Sequence, residues 1–501
     1  MTGVQTCALP ILLLFLSMAL AKYPVLYEIS TRPWLYELSQ KYGRSISRFR
    51  DIPLEEYDSL ADKGIDTIWM MGVWQLGDYG LNIDKKADYS SVLPGYTQDD
   101  IIGSPYAITE YVVNKQLGVD EDLSWLRNQL HARGLKLVLD FVPNHSACDA
   151  PTVEKHPEYY VRGPQSTSYD SKYYMDNGVA HGKDPYFDPW PDTAQWNYFE
   201  PKTREFMKNN LMKILSYADG VRCDMAHLDL NDVFKKTWAK ELSAWGYSVP
   251  STEFWKDVID EAKKVYPKAI FMAEVYEDWQ MQKLQECGFD YYYDKAFLDK
   301  CERGPNDVND YIHYHSLEFF DHAAHFVENH DEARAVHNMG SVPRADAAGA
   351  MAATLPGLIF FNHGQFDGLK NKLDVHLRRS APEEKSATAQ QFYRKLLKIL
   401  KNDAFKSNNI YYVYNINGDN AQKFVGVIRK GTDSFLVVTN YSDKNACANV
   451  PIYDIKGNGN IKVFEMMSQV EYQRDAETVR TSGLTVCLDA YGVQKDRKSV
   501  V

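Results

Sequence analysis

Along residues 23–402, short apolar runs rich in β-branched side chains recur, and most are followed by an amphipathic stretch. The runs lie at 25–30, 67–73, 135–142, 220–226, 270–276, 291–295, 324–329 and 358–362. The intervening stretches, such as 120–134 and 202–218, repeat with helical period. Strands that are apolar almost throughout are covered on both faces, as parallel strands flanked by helices are. Eight such strand–helix units predict an α/β fold closed as a (β/α)8 TIM barrel rather than an open doubly wound sheet.

Two segments break the rhythm. Residues 146–200 are rich in Tyr, Pro, Asp and Gly and show no sustained period. An irregular segment of that length inside a compact domain is usually functional. It reads as an inserted domain after the third strand, on the face where barrel active sites are built. Beyond the helical pattern near residues 384–401, short β-type runs at 410–416, 423–429, 434–440, 461–465 and 484–488 are separated by Gly and Asn turns. They predict a C-terminal antiparallel β-sandwich over 403–495, following a barrel domain over 22–402.

The ends carry different signals. Residues 12–21, LLLFLSMALA, resemble the apolar core and small-residue cleavage site of a secretory signal, and imply a secreted protein; otherwise it is cytoplasmic. Residues 1–11 and 496–501 resemble translated sequencing adapters, and are set aside as assembly artefacts. Apart from Cys7 there are six cysteines and no CxxC, which argues against a zinc ribbon or a thioredoxin-like site. In an exported chain, Cys287 with Cys301 or Cys447 with Cys487 could pair; buried free thiols fit equally well. The 501 residues carry a net charge of −12 without a basic block, which disfavours nucleic acid and anionic membranes as partners. The apolar run at 12–21 is too short to span a bilayer. The oligomeric state is not legible in the sequence.

Ionisable residues gather where the strands end. The third strand closes on Asp140, Asn144 and His145, and the fourth on Arg222, Asp224 and His227. The fifth closes on Glu274, and the seventh on Asn329, His330 and Asp331. Carboxyl ends of parallel barrel strands converge on one pocket, so these groups meet. Clustered carboxyls push one another's pKa values apart, leaving one protonated as an acid and another ionised as a nucleophile. Glycosidic bond cleavage uses that pairing. Phosphoryl transfer and metal-assisted hydrolysis could draw on similar groups, but no phosphate-binding Gly-rich loop and no HExxH occur.

Four segments in order, LDFVPNH (139–145), GVRCDMAH (220–227), FMAEVYE (271–277) and FVENHD (326–331), resemble the motifs of the α-amylase superfamily, glycoside hydrolase family 13. WPDTAQWNY (190–198), SPYAITEY (104–111) and LPGLIFFNHGQFDG (355–368) are similar to further segments of that family. The resemblance implies a retaining glycosidase acting on starch-like or glycogen-like α-glucans or maltooligosaccharides, through a covalent glycosyl intermediate. Asp224 would be the nucleophile, Glu274 the general acid and base, and Asp331 the carboxylate that favours the distorted transition state. Arg222 would keep Asp224 ionised, with Asp140 supporting Arg222. His145 and His330 would bind sugar hydroxyls, and Tyr106 would stack on the sugar. No cofactor is needed for the chemistry. Asn144 and Asp192 match positions that hold a structural calcium in relatives.

Some positions depart from the family pattern. Three and four residues after the nucleophile, where many members have Lys-His, stand His227 and Leu228, which leaves contacts to the leaving-group side of the sugar chain undefined. Asn440-Tyr441-Ser442 is a glycosylation triplet. A transglycosylase of the same superfamily is the alternative reading. A non-catalytic binding or assembly protein with this fold is a further one, disfavoured because all three carboxylates are present.

Overall fold

The computed structural model describes residues 23–452, 455 and 459–499. The adapter-like residues 1–11 with Cys7, the signal-like segment 12–21 and the last two residues lie outside the described residues. Eight parallel strands close the barrel in chain order: β1 Val25–Ser30, β2 Thr67–Met71, β3 Lys136–Phe141, β4 Gly220–Cys223, β5 Ile270–Ala273, β6 Tyr291–Tyr293, β7 Ala323–His325 and β8 Leu358–Asn362, which pairs back to β1. Every residue of β1, β2, β4, β5 and β8 is buried, the burial a continuously apolar parallel strand requires.

Most strands are shorter than their apolar runs. The run 324–329 contributes only its first two residues to β7, which ends at His325, and 220–226 and 270–276 leave the sheet at Cys223 and Ala273. Asp224, Glu274, His330 and Asp331 lie beyond their strand ends, on the rim of the barrel, whereas Asp140 and Arg222 lie within their strands. At β6 the run stops because Asp294 turns to cap the next helix, accepting the Phe297 amide at 3.1 Å.

Residues 146–200 leave and re-enter through one antiparallel ladder, His145–Ala147 against Thr193–Gln195, with His145 opposite Gln195. Between these strands the chain makes a short helix, Pro151–Lys155, and isolated bridges such as Arg162 to Val179 and Gly182 to Trp190. A second excursion after β2 returns through the pair Trp74–Leu76 and Ile108–Val113, and delivers Tyr106 to the rim.

The C-terminal part is antiparallel. A six-stranded sheet and the two-stranded sheet Ala446–Val450 with Leu484–Leu488 share one apolar core, where Phe424, Leu436 and Val438 meet Ala448, Val450 and Val486. The last strand, Val493–Ser499, runs past residue 495 and lies inside the larger sheet. Arg429, fully buried, fastens this part to the barrel through the carbonyls of Thr354, Ala404 and Ser407. Cys447 and Cys487, opposite one another in the small sheet, are disulfide-bonded; Cys287 and Cys301 are free and buried, so that expected pair does not form. Asn440 of the glycosylation triplet is also buried, its amide donating to the carbonyls of Lys444, Leu488 and Asp489. Among the described residues no helix is long and apolar enough to cross a membrane.

The disulfide joins residues 40 apart in sequence. Loop-closure entropy of that size is worth about 3–4 kcal/mol. Reduction, or Cys447→Ser, is expected to lower the stability of the C-terminal sheets by that order in chemical denaturation. A change below about 1 kcal/mol would show that the sheets do not depend on the cross-link.

Candidate active site

Strand register brings the principal groups together. Parallel pairing sets Asp140 beside Arg222, Arg222 beside Met272 and Cys223 beside Ala273. The next step continues the ladder, because the Asp224 amide donates to the Phe141 carbonyl and the Glu274 amide to the Cys223 carbonyl. Asp224 and Glu274 therefore stand side by side at the rim, two residues beyond Arg222 and Met272 and on the same face.

The Arg222 guanidinium is fully buried and grips both carboxyls, with Nη1 to Asp224 Oδ1 at 2.6 Å and Nη2 to Glu274 Oε2 at 2.7 Å. Its Nε donates to the Tyr293 hydroxyl at 3.1 Å, and its carbon lies 5.2–5.6 Å from the rings of Trp69, Tyr106 and Tyr293. This aromatic box excludes water while presenting negative ring faces to the cation. Two carboxylates in the same pocket raise the Arg222 pKa well above its ordinary value, outweighing the burial that opposes its charge. Asp140 does not hydrogen-bond Arg222. It accepts from Trp69 Nε1 and from the Gly72 amide, both at 3.0 Å, so it supports Arg222 through the indole between them. Gly72, at φ +76°, has a backbone that favours glycine. Burial raises the Asp140 pKa to about 6.

Burial also raises the Asp224 pKa to about 7, with Glu274 and Asp331 adding like-charge repulsion and Arg222 pulling the other way. The Asp224–Glu274 pair thus retains a proton near neutrality, which the charge of Arg222 alone does not remove. Glu274 is the more richly bonded partner. Besides Arg222, its Oε2 accepts the Met225 amide at 2.8 Å and its Oε1 accepts the Tyr276 hydroxyl at 2.5 Å. Met225 adopts φ +44°, unusual for a side-chain-bearing residue, so the amide aimed at Glu274 is held in a strained backbone.

His330 links the barrel interior to the rim. Its Nδ1 meets buried Glu28 of β1 at 2.6 Å, and its Nε2 meets the Tyr106 hydroxyl at 2.7 Å and Asp331 Oδ2 at 2.9 Å. Burial works against the imidazolium, but Asp331 and Glu28 outweigh it and raise the pKa to about 10. Burial likewise opposes ionisation of Asp331, yet His330, Arg222 and Lys372 hold its pKa below the carboxylate range. Its side chain remains 44% exposed, open to the cleft. Tyr106 stacks on His330 with centroids 5.5 Å apart. His145, held between Asn144 at 3.2 Å and the Trp190 ring at 5.2 Å, has its pKa lowered by burial to about 4, making it a neutral hydrogen-bonding group. His227 turns its Nδ1 toward the Glu274 carbonyl at 3.4 Å, and Leu228 is buried.

The two residues matched to a calcium site have protein neighbours in the structure. Asn144 Oδ1 accepts from Gln195 Nε2 at 3.0 Å, and the same nitrogen reaches the carbonyls of Asn144 at 2.8 Å and Trp196 at 3.2 Å. Gln195 Oε1 is buried without a partner, so turning this amide over would set its oxygen among those of Asn144 and Trp196, the donor set a hard cation takes. Asp192 packs against Gly80 of the Asp78–Asp84 helix. Among the described residues no group of three or more His, Cys, Asp or Glu is arranged to hold a metal.

Sequence reasoning did not single out Tyr276, Trp69, Tyr293, Glu28 or Met225 as parts of the site. Glu28 had a signal: it is a carboxylate inside the apolar run VLYEIS. Tyr276 lies inside a quoted motif, but nothing in the motif shows that its hydroxyl reaches back to Glu274. Trp69 and Tyr293 look like core residues in the sequence, and they are core residues; their ring faces matter only because Arg222 lies between them.

A family model for the α-amylase catalytic domain matches residues 55–423, and the chain belongs to that family. The α-amylase MalA of Haloarcula japonica is 26% identical over 365 residues, covering 71% of this chain and 46% of that protein. The α-amylase 3 of Dictyoglomus thermophilum is 22% identical over 351 residues, covering 65% and 61%. The chain thus spans about half to three-fifths of these curated relatives. The noncanonic maltogenic α-amylase AmyB of Thermotoga neapolitana superposes with a TM-score of 0.69 at 20% identity, covering 95% of this chain and 99% of that one, which supports the shared fold.

Two substitutions test the geometry. Tyr276→Phe removes one of the donors to the Glu274 carboxyl, so kcat should fall by about tenfold. A kcat at the wild-type value would show that this hydrogen bond is not needed for turnover. Glu28→Gln removes a counter-charge from His330, and the His330 pKa, followed by NMR titration, should fall; a pKa still at the wild-type value would mean that Asp331 alone sets it.

Proposed function

We propose that this protein cleaves α-glucosidic bonds of starch-like or glycogen-like glucans, or of maltooligosaccharides, with retention of configuration. The observation that carries the reading is the pair Asp224 and Glu274, in register on adjacent strands and held by one guanidinium. Neighbouring strands lie about 4.8 Å apart. Two carboxyls projecting from them fit the separation of about 5–5.5 Å used in double displacement, rather than the 6.5–9.5 Å that leaves room for water between acid and base.

In this reading Asp224 attacks the anomeric carbon and Glu274 protonates the departing oxygen. The glycosyl group is then carried on Asp224 until Glu274, now ionised, draws a proton from an incoming water. Arg222 bonds both carboxyls and so balances charge as the proton moves from one step to the next. Asp331, ionised through His330, faces the cleft where positive charge develops on the sugar ring. His145, neutral, and His330, charged, supply hydrogen-bonding groups for hydroxyls, and Tyr106 supplies an apolar ring face. Transfer to a sugar hydroxyl instead of water uses the same intermediate. The names of related proteins include amylases, a glucosidase and branching enzymes, which fits a common first step with differing acceptors.

Asp224→Asn should lower turnover by about 10⁴-fold or more while leaving the fold intact by circular dichroism. Wild-type rates in that variant would remove Asp224 from the reaction. For the wild type, kcat/KM should fall as pH rises through about 7, since the pair then loses the proton that the leaving group needs. Maltoheptaose should give shorter saccharides with the α-anomer formed first. The β-anomer first would overturn retention, and products longer than the substrate would establish transfer.

A further inference from the structure

A narrow cavity of about 30 Å³ beside His330 and Asn329 is lined by the amino end of helix α1, Thr31–Tyr42, and a second cavity of about 640 Å³ lies next to it. Arg32, Leu76 and Ile102 line both spaces. Thr31 and Arg32, which line this space, have no part in the chemistry above.

The amino end of α1 lacks the devices that usually satisfy one. Ser30, at the N-cap, makes no side-chain capping bond, and the first turn contains no acidic residue. Thr31 is only 1% exposed, yet its hydroxyl has no hydrogen-bond partner. Arg32 Nε is also buried without a partner, while Nη1 donates to the Ile102 carbonyl at 3.1 Å. Burial, with no opposing carboxylate, lowers the Arg32 pKa to about 10. A guanidinium has five donors and is costly to bury unpaired. The orphaned Thr31 hydroxyl and Arg32 Nε–H thus belong to residues that border the same narrow cavity at a positive helix pole, where an oxyanion would serve both.

The surroundings have the same sign. Beyond Arg32 the larger cavity is lined by Arg48, Lys85, Lys115 and Arg378, against the carboxylates of Asp78 and Asp99. Arg378 shares its charge with Asp100 at 3.1 Å. In the narrower space Asp374 pairs with His376 at 2.8 Å and Lys372 donates to the Asp331 carbonyl, so Arg32 is the cation there that no carboxylate offsets. This positive excess stands out in a chain whose net charge is −12.

We propose that the amino end of α1, with Thr31 and Arg32, binds an oxyanion of the phosphate or carboxylate class carried on a sugar unit of the substrate, so that charged saccharides are preferred to neutral ones. The proposal rests on the α-glucan reading above and narrows its substrate class.

The test compares maltoheptaose with a phosphorylated maltooligosaccharide of matched length, using the full chain and Arg32→Met, with inorganic phosphate as competitor and as calorimetric ligand. The wild type should show the higher kcat/KM on the charged substrate. Arg32→Met should lower the charged-to-neutral ratio by about ten- to a hundredfold, the loss expected for hydrogen bonds to a charged group. Inorganic phosphate should raise KM for the charged substrate and not for the neutral one. A ratio that is the same in both proteins overturns the proposal. So does Arg32-dependent phosphate binding without any preference for the charged saccharide, which would make the anion a free effector. If Arg32→Met does not fold, Lys85→Gln with Lys115→Gln replaces it, and the ratio should shift the same way by a smaller factor. If neither saccharide is turned over, the α-glucan reading fails; the anion site is then decided by phosphate calorimetry, Arg32-dependent binding upholding it and no binding overturning it.

Discussion

One buried guanidinium makes the rest of the reaction centre consistent. Three carboxyls at the mouth of a barrel repel one another, and an unpaired arginine in the interior would be equally unfavourable. Arg222 resolves both problems by bonding Asp224 and Glu274 with separate nitrogens, while Tyr293 takes its remaining edge. The arrangement depends on strand register. Shifting β4 by one residue against β5 would turn Arg222 and Asp224 away from the pocket together, since alternate residues face opposite sides.

The centre is braced from several elements. Glu28 on β1 anchors His330, and His330 in turn fixes Tyr106 and Asp331, so a strand at the barrel seam and two separate loops are tied to one imidazole. The inserted segment is tied in through the ladder that carries His145. The strained backbone of Met225 follows Asp224 and points its amide at Glu274. Apart from His330 with its neighbour Asp331, these contacts join residues distant in sequence, so the site depends on closure of the barrel.

Charge is distributed unevenly along the cleft. The reacting centre is acidic around one cation, whereas the region beyond His330 is basic, with an uncapped helix terminus and an arginine lacking an acid. Gln195 places an amide nitrogen among the oxygens near Asn144, so the loop there is cross-linked by hydrogen bonds within the protein.

The sequence by itself determined the eight-strand alternation, the antiparallel C-terminal part, and the identity and order of Asp224, Glu274, Asp331, Arg222, His145 and His330. Those features are local: apolar period sets strand and helix, and ionisable residues follow each strand directly. It overestimated strand lengths, because the apolar runs continue into the rim where ladder pairing has already ended. Only the tertiary structure decided that Asp140 acts on Arg222 through Trp69, that Tyr276 and Met225 bond Glu274, that Glu28 charges His330, and that Cys447 and Cys487 are joined while Cys287 and Cys301 are not. Except for the Tyr276–Glu274 bond within one loop, these are contacts across elements, with distances set by register and barrel closure, and the pKa values there follow from burial and from charges on other strands that no local run of residues can express.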